Sequence, residues 1–196
     1  MSCYNELVND ILNDCDNKPT TGLEVNAVII DRESLDYQAT TKDGTNDSLI
    51  TNLVCKSSKA GVQIQGLKQL NYADSEVVVD GESYNKFKHG FSARISDLNA
   101  TNRQVINDMV NTPHGYVVVI EKKWKGASSE SAFVVLGFDN GMFIAEGREA
   151  TNEADGTFVF KLASEDAALE PDSPKIVLET DYATTKTAFD GWFAGS

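Results

Sequence analysis

The sequence predicts a mainly β protein with helices (α+β), a β-sandwich or barrel flanked by a helix. Short apolar runs of strand length recur along the chain, and Asp-Gly or Asn-Gly pairs, which are typical of tight turns, stand between several of them. One internal segment has helical spacing instead, with a capping pattern at its start. A chain of 196 residues can bury a core of its own, so we expect a single domain over residues 1–196.

An amphipathic helix is predicted near the N-terminus, over residues 3–15. Apolar side chains recur there at intervals of three and four residues, among them Leu7, Ile11 and Leu12, while polar side chains occupy the other face. Such an apolar stripe must be covered. We expect it to pack on the chain's own core or on a neighbouring subunit.

Short strands are predicted along most of the remaining chain. They are residues 25–30, 48–56, 62–65, 77–79, 116–120, 133–138, 142–145, 157–162 and 175–179. The turn Asp139-Asn140-Gly141 stands between two of them, and it predicts a hairpin that joins 133–138 to 142–145.

The internal helix is predicted just after residue 100. Thr101 and Gln104 have the spacing of a capping box, and Pro113 with Gly115 predicts the end of the helix. Its apolar stripe is Val105, Ile106, Met109 and Val110.

Two long segments separate predicted strands. One runs from 31 to 47, and the other, from 66 to 90, contains apolar residues of its own. Long irregular segments in a compact domain are usually functional or packed on a partner. We therefore expect residues 66–90 to form a long inter-subunit loop or hairpin.

Charge and composition exclude several classes of protein. The net charge is −13 and the sequence pI is about 4.5, which argues against a protein that binds nucleic acid by neutralising phosphates. The excess of acidic residues lies in residues 1–50 and 151–196, because the middle of the chain is neutral. No apolar run approaches the roughly 20 residues of a membrane helix, and the start lacks the pattern of a signal peptide. We expect a protein made in a cytoplasm, with its three cysteines reduced.

Residues with catalytic or metal-binding potential are sparse. His89 and His114 are the only histidines, and neither has the spacing of a metal site. Asp43–Asp47 and Asp139–Gly141 could offer oxygen ligands, but they lack the register of a calcium loop and are better explained as turns. We find no nucleophile motif and no phosphate loop. The sequence therefore favours a structural or interaction protein over an enzyme, with no cofactor and no metal.

Both ends of the chain resemble a known class of proteins. Residues 1–7, 14–16 and 22–32 look like the start of virion structural proteins of phages that infect Bacteroidetes-type hosts, including crAss-like phages. Residues 153–166, with Glu170 soon after, are similar to the closing strand and acidic tail of the same group. The middle of the chain matches in layout alone: capped helix, strand, hairpin.

This resemblance implies a tail-tube-like fold and a structural role in the virion. The chain would be a subunit of a phage tail tube or connector ring, self-assembling around an acidic channel through which DNA passes without specific binding. Its partners would be copies of itself, in a ring that can stack, and other tail or connector proteins. No membrane is involved, and assembly takes place in the host cytoplasm. The interface residues that we predict are Leu7, Ile11, Leu12, Leu67, Leu70, Tyr72, Tyr84 and Phe87.

Two alternatives stay open at this point. The chain could be another virion component, such as a tail terminator or a head-decoration protein. It could also be a carbohydrate-binding β-sandwich, in which Trp124, Trp192 and Tyr72 would be the stacking residues, although aromatic side chains pack in cores and interfaces more often.

Overall fold

The structure, a computed structural model, describes residues 10–11, 18–66, 70–81 and 84–192. Its elements in chain order are β1 (Leu23–Asp31), β2 (Thr41–Lys42), β3 (Leu49–Asn52), β4 (Val62–Gln65), β5 (Tyr72–Val78), β6 (Lys86–Ile95), α1 (Ala100–Val110), β7 (Tyr116–Lys122), β8 (Phe133–Leu136), β9 (Phe143–Glu149), β10 (Phe158–Ala163), β11 (Lys175–Val177) and α2 (Tyr182–Gly191). The prediction of a mainly β protein with helices is confirmed. Within these ranges, no helix is both long and apolar enough to cross a membrane.

The strands form two sheets. The larger has seven strands in the order β2-β3-β11-β8-β7-β1-β4, and the smaller has four in the order β5-β6-β10-β9. All pairs are antiparallel except β3 with β11, which run parallel.

Successive side chains of the central strands point to opposite faces of the seven-stranded sheet, and each face is covered by a core of its own. In β1, Ala27 and Ile29 face the four-stranded sheet, where Phe91 and Phe160 meet them. Val28 and Ile30 face the other way and pack in the second core, which contains Phe189 of α2 and Trp192 just after it. The order of layers is therefore four-stranded sheet, seven-stranded sheet, α2. The far side of the four-stranded sheet carries exposed side chains, among them Tyr72 and Arg148.

The hairpin predicted across Asp139-Asn140-Gly141 is wrong. Strand β8 belongs to the larger sheet and β9 to the smaller, so the turn carries the chain from one sheet to the other. Gly137 and Gly141 both have positive φ, at 70° and 84°. We call this turn, residues 137–141, the corner. Beside it, Tyr116 and Met142 exchange two backbone hydrogen bonds of 2.8 Å.

The predicted capping box of α1 is also wrong. The N-cap is Asn99, whose side chain accepts a hydrogen bond of 2.9 Å from the backbone N–H of Asn102. Gln104 instead donates to Asp108, one turn further along the helix. The helix spans Ala100–Val110 and ends before Pro113, as predicted.

Residues 66–90 contain β5 and the start of β6, whereas the sequence predicted one short strand there, over residues 77–79. Strand β5 pairs with β6 in a register that runs from Tyr72 opposite Ser92 to Val78 opposite Lys86. The predicted N-terminal helix over residues 3–15 lies outside the described residues except for Asp10 and Ile11, and neither of these two is helical.

Candidate functional site

The β5–β6 hairpin extends beyond the sandwich. Ala73 and its partner Phe91 face the core, so by alternation Val77 and its partner Phe87 lie on the same side of the hairpin, nearer the turn. Exposure of this side rises towards the turn: Val77 is 56% exposed and Val79 is 76% exposed. We call residues 76–81 and 84–87 the arm.

Exposed apolar side chains concentrate around this arm. Among the described residues, ten large apolar side chains are exposed, and five of them lie between Leu70 and Tyr84. Tyr84, at the far end of the arm, is 68% exposed. Three of the five, Val77, Val79 and Tyr84, lie on the arm, whereas Leu70 and Tyr72 lie near the other end of β5. Single exposed apolar residues are normal on protein surfaces, whereas several on one projecting segment are typical of an interaction surface.

The base of the arm is fixed by Glu170. Phe87 and Glu170 exchange two backbone hydrogen bonds, of 2.8 and 2.9 Å. The Glu170 carboxylate is buried and accepts backbone N–H groups from Asp139, Asn140 and Gly141 at 2.8–3.1 Å. Burial raises the pKa of this carboxyl above its ordinary value, although the three N–H groups act against that rise. Glu170 thus joins the arm to the turn between the sheets, because its backbone pairs with Phe87 and its carboxylate binds the turn.

His89 and Lys175 are buried beside this junction. His89 Nδ1 accepts a hydrogen bond of 3.1 Å from the backbone N–H of Gly137, so the ring proton lies on Nε2, 3.1 Å from the carbonyl oxygen of Asp172. Burial lowers the pKa of His89 to about 4 and keeps the ring neutral near pH 7. The Lys175 ammonium lies 2.8 Å from the carboxylate of Asp172. Both side chains are therefore paired within the cluster, which favours a structural role over a chemical one.

A second buried cluster joins α2 to β7. Lys125 Nζ donates to the Glu121 carboxylate at 2.6 Å and to the Tyr182 hydroxyl at 3.1 Å, and that hydroxyl donates to Glu121 at 2.6 Å. Burial works against the charged lysine, but these hydrogen bonds prevail and raise its pKa above the ordinary value. This cluster too is satisfied internally, and it serves to hold α2 on the sheet.

The outer face of the four-stranded sheet holds a groove of about 740 Å³. Leu70 and Tyr72 line one side of it, and Val159 of the central strand β10 contributes to its apolar lining. Its cationic side chains are Arg94, Arg148 and Lys161, and its acidic ones are Glu146 and Glu153. Arg148 pairs with Glu153 at 3.1 Å.

The two edge strands of this sheet carry charged side chains. Asp74 and Glu76 lie on β5, and Glu146, Arg148 and Glu149 lie on β9. Charges along an edge discourage the addition of a further strand. Contact through the apolar side of the arm is therefore better supported than addition of a strand along β5 or β9.

The predicted interface residues have different places in the structure. Leu70, Tyr72 and Tyr84 are exposed, and Phe87 is half-buried at the base of the arm. Ile11 is exposed. Leu7, Leu12 and Leu67 lie outside the described residues. The sequence prediction did not include Val77 and Val79 as interface residues, although the run Val77-Val78-Val79 next to Asp80-Gly81 was a visible signal of an apolar strand end.

The three aromatic residues considered for carbohydrate binding do not form one platform. Trp192 is buried in the second core, and its Nε1 donates to the Leu53 carbonyl oxygen at 3.2 Å. Tyr72 lines the groove on the opposite side of the molecule's layers. Trp124 is half-buried, with the Lys122 ammonium 5.5 Å from its ring centre.

Across residues 10–11, 18–66, 70–81 and 84–192, no three His, Cys, Asp or Glu side chains come together as a metal site would require. Comparison of the chain with protein-family models, with curated proteins and with solved structures finds no match.

Proposed function

We propose that this chain is a structural subunit that assembles with copies of itself into a ring, as a subunit of a phage tail tube or connector does. The observation that carries the proposal is the arm, a hairpin whose apolar side has no partner among the described residues of the chain. The resemblance of both chain ends to virion structural proteins supports the same function.

Covering the arm gives a substantial driving force for association. Burial of a valine side chain is worth roughly 1.5–3 kcal/mol, and Val77, Val79 and Tyr84 are all largely exposed in the single chain. The arm is also held at a defined angle, because Glu170 fixes its base to the turn between the sheets. A preordered arm loses less conformational entropy on binding than a flexible loop.

The net charge of −13 supports a channel for DNA. Acidic side chains repel the phosphates of the duplex and so disfavour tight binding. A ring of such subunits would let DNA pass without holding it.

The test is the mass of the protein in solution, measured by light scattering over a wide concentration range, with negative-stain microscopy of the same samples. We expect rings or stacked rings from the wild-type chain, and a single ring without stacking would favour a terminator. Val77→Lys should stay at the monomer mass of 21.4 kDa, because it places a charge on the apolar side of the arm.

The matched control is Val110→Lys, which changes the same residue type at 55% exposure on α1. It should assemble like the wild type, and far-UV circular dichroism should show both variants folded. A wild-type chain that stays monomeric throughout, or a Val77→Lys variant that assembles normally, would contradict the proposal.

A further inference from the structure

We infer that acid releases the arm from the sandwich through protonation of His89, while the two sheets stay folded. The His89 ring is a side-chain link between strand β6, which carries the arm, and the corner between the sheets. The inference concerns the single chain and does not depend on the proposed assembly. In such an assembly, release of the arm would detach one copy from the next.

The ring of His89 is buried where the arm meets the sandwich. His89 lies two residues after Phe87 in β6 and is 2% exposed. Its Nδ1 accepts the N–H of Gly137 and its Nε2 donates to the carbonyl oxygen of Asp172, both at 3.1 Å. The ring therefore bridges β6, the corner and the segment before β11. Next to it, the base of the arm is held by the backbone pair between Phe87 and Glu170.

Protonation is incompatible with this bridge. A neutral imidazole has one donor nitrogen and one acceptor nitrogen, whereas both nitrogens of the charged ring are donors. A proton on Nδ1 of His89 would therefore face the N–H of Gly137, with the two nitrogens 3.1 Å apart. The ring must then leave its site, because a buried N–H group without an acceptor is costly. Since the ring belongs to β6, its departure loosens the base of the arm.

The charged groups around the ring do not supply the missing acceptor. The side chains whose charges act on it are Asp139, Asp172 and Lys175. Both carboxylates already pair with the buried Lys175 ammonium, at 3.7 and 2.8 Å. That ammonium repels a charged ring. On β6 itself, the neighbouring Lys88 pairs with a carboxylate at the surface.

The sign of the pH dependence follows from burial. Burial lowers the pKa of His89 from 6.5 to about 4, so the released ring binds a proton more strongly than the buried ring. Release is therefore favoured as the pH falls through 6.5 towards 4. Each pH unit in this window raises the ratio of released to held arm by up to about tenfold. Glu170 acts in the opposite sense, because burial raises the pKa of its carboxyl and acid makes this buried group neutral.

The arm should open before the sheets do. Its apolar side is largely exposed, with Val77 at 56% and Val79 at 76%, so few buried contacts resist its opening. The central strands β1 and β7 are instead buried on both faces, in the two cores. Loss of the His89 bridge therefore affects the arm first.

The experiment is amide hydrogen exchange followed by NMR from about pH 7 to about pH 4, a range that includes both pKa values of His89. Each rate is expressed as a protection factor, which removes the pH dependence of the intrinsic exchange. The titration of His89 is followed in the same samples through its ring C–H signals. We expect the amides of Gly137, Phe87 and Glu170 to lose protection as His89 takes up its proton. The amide of Val118, in the central strand β7, should keep its protection.

The matched variants are His89→Gln and His114→Gln, which remove the buried and the exposed histidine. His89→Gln should lose the pH-dependent change in protection, and His114→Gln should behave like the wild type. If His89→Gln does not fold, the wild-type chain still decides, because the loss of protection must share its midpoint with the titration of the His89 ring.

Amides of Phe87 and Glu170 that stay protected after His89 has titrated would overturn the inference. The same pH-dependent loss in His89→Gln would also overturn it. A simultaneous loss at Val118 would mean that the whole chain unfolds and that the arm is not released separately. These outcomes leave the proposed assembly untouched, because the mass measurement tests it separately.

Discussion

At the scale of single residues, Glu170 and His89 connect parts of the chain that are far apart in sequence. Glu170 lies about 30 residues from the turn that its carboxylate binds, and its backbone pairs with Phe87. His89 joins Gly137 to Asp172 through its two ring nitrogens. Leaving any of these buried groups unpaired costs about 1–3 kcal/mol. The two side chains therefore stabilise the corner from which the arm extends.

The same corner is held from the other side by Arg32 and Tyr37. Arg32 Nε donates to the carbonyl oxygen of Asp139 at 3.0 Å, and the Tyr37 hydroxyl donates to that of Phe138 at 2.9 Å. Burial raises the pKa of Tyr37 to about 12, so the hydroxyl stays protonated and remains a donor throughout the neutral range. The corner is thus restrained by side chains from three segments.

His89 should make the stability of the protein sensitive to acid. Its pKa falls from 6.5 in the unfolded chain to about 4 in the folded one, because burial disfavours the charged ring. The stability contributed by the neutral ring is therefore complete above pH 6.5 and is lost as the pH falls towards 4. We expect the free energy of unfolding to drop by up to about 1.4 kcal/mol per pH unit in this window, relative to His89→Gln.

The measurement is urea unfolding at a series of pH values. The charges that face His89, on Asp139, Asp172 and Lys175, are present in both proteins, so the difference between the two profiles isolates the histidine. His114→Gln removes the exposed histidine and serves as the control. Parallel profiles for the wild type and His89→Gln would show that His89 does not carry this effect.

At the scale of elements, the start of α1 differs from its prediction by two residues. The sequence pattern predicted a cap at Thr101, and the cap that forms is Asn99. Thr101 and Gln104 fit a capping box by spacing, but Asn99 precedes them and its side chain reaches the N–H of Asn102. Asparagine is as good an N-cap as serine and better than threonine. The helix therefore begins earlier than the box would allow.

This difference can be tested with two alanine variants. Asn99→Ala should lower the free energy of unfolding by about 1 kcal/mol, because the N–H of Asn102 loses its partner at the helix start. Thr101→Ala lies in the first turn, is exposed, and should change the free energy by no more than about 0.5 kcal/mol. Chemical denaturation of both variants measures the two free energies of unfolding. A larger loss for Thr101→Ala than for Asn99→Ala would contradict the Asn99 cap and support the capping box.

Several elements were predictable because their signal is local. Strand β4, Val62–Gln65, appears as predicted, since strict alternation of apolar and polar residues is a property of the strand itself. The separation of β8 and β9 into different sheets was not predictable, because β8 pairs with β11 and the turn between the two strands is bound by Glu170, and both partners are distant in sequence. Helix α2 is rich in threonine, a poor helix former, and depends on its Asp181 cap and on burial of Phe189.

The candidate site was likewise predictable only where its signal is local in sequence. Residues 66–90 stood out in sequence because apolar residues interrupt a long segment between predicted strands. The groove could not be found in this way, because residues from four strands and two loops line it, and only the sheet order brings them together.

At the scale of the whole molecule, the seven-stranded sheet is shared by both cores. Each of its central strands contributes alternate residues to one core and then the other, as Val117 and Val118 do in β7. A cavity in one core therefore weakens strands that the other core also needs. We expect the two cores to unfold together as one cooperative unit.

Phe160→Ala tests this cooperativity. Phe160 is fully buried in the core between the sheets, and its truncation should cost about 3–5 kcal/mol. Trp192, in the other core, reports unfolding by fluorescence in a Trp124→Phe background. The Trp192 transition should shift to lower urea together with the circular dichroism signal. An unshifted Trp192 transition would mean that the cores unfold separately, which would contradict the expectation of a single domain.

The position of β11 within the larger sheet has a consequence for synthesis. Strand β3 pairs with β2 on one side and with β11 on the other, so β11 alone joins that ribbon to the rest of the sheet. A nascent chain leaves the ribosome N-terminus first. Strands β2 and β3, within residues 41–52, therefore cannot join the rest of the sheet until residues 175–177, more than 120 positions later, have been synthesised. A copy whose translation has stopped short of that point lacks β11, and its β2–β3 ribbon has no strand through which to join the rest of the sheet.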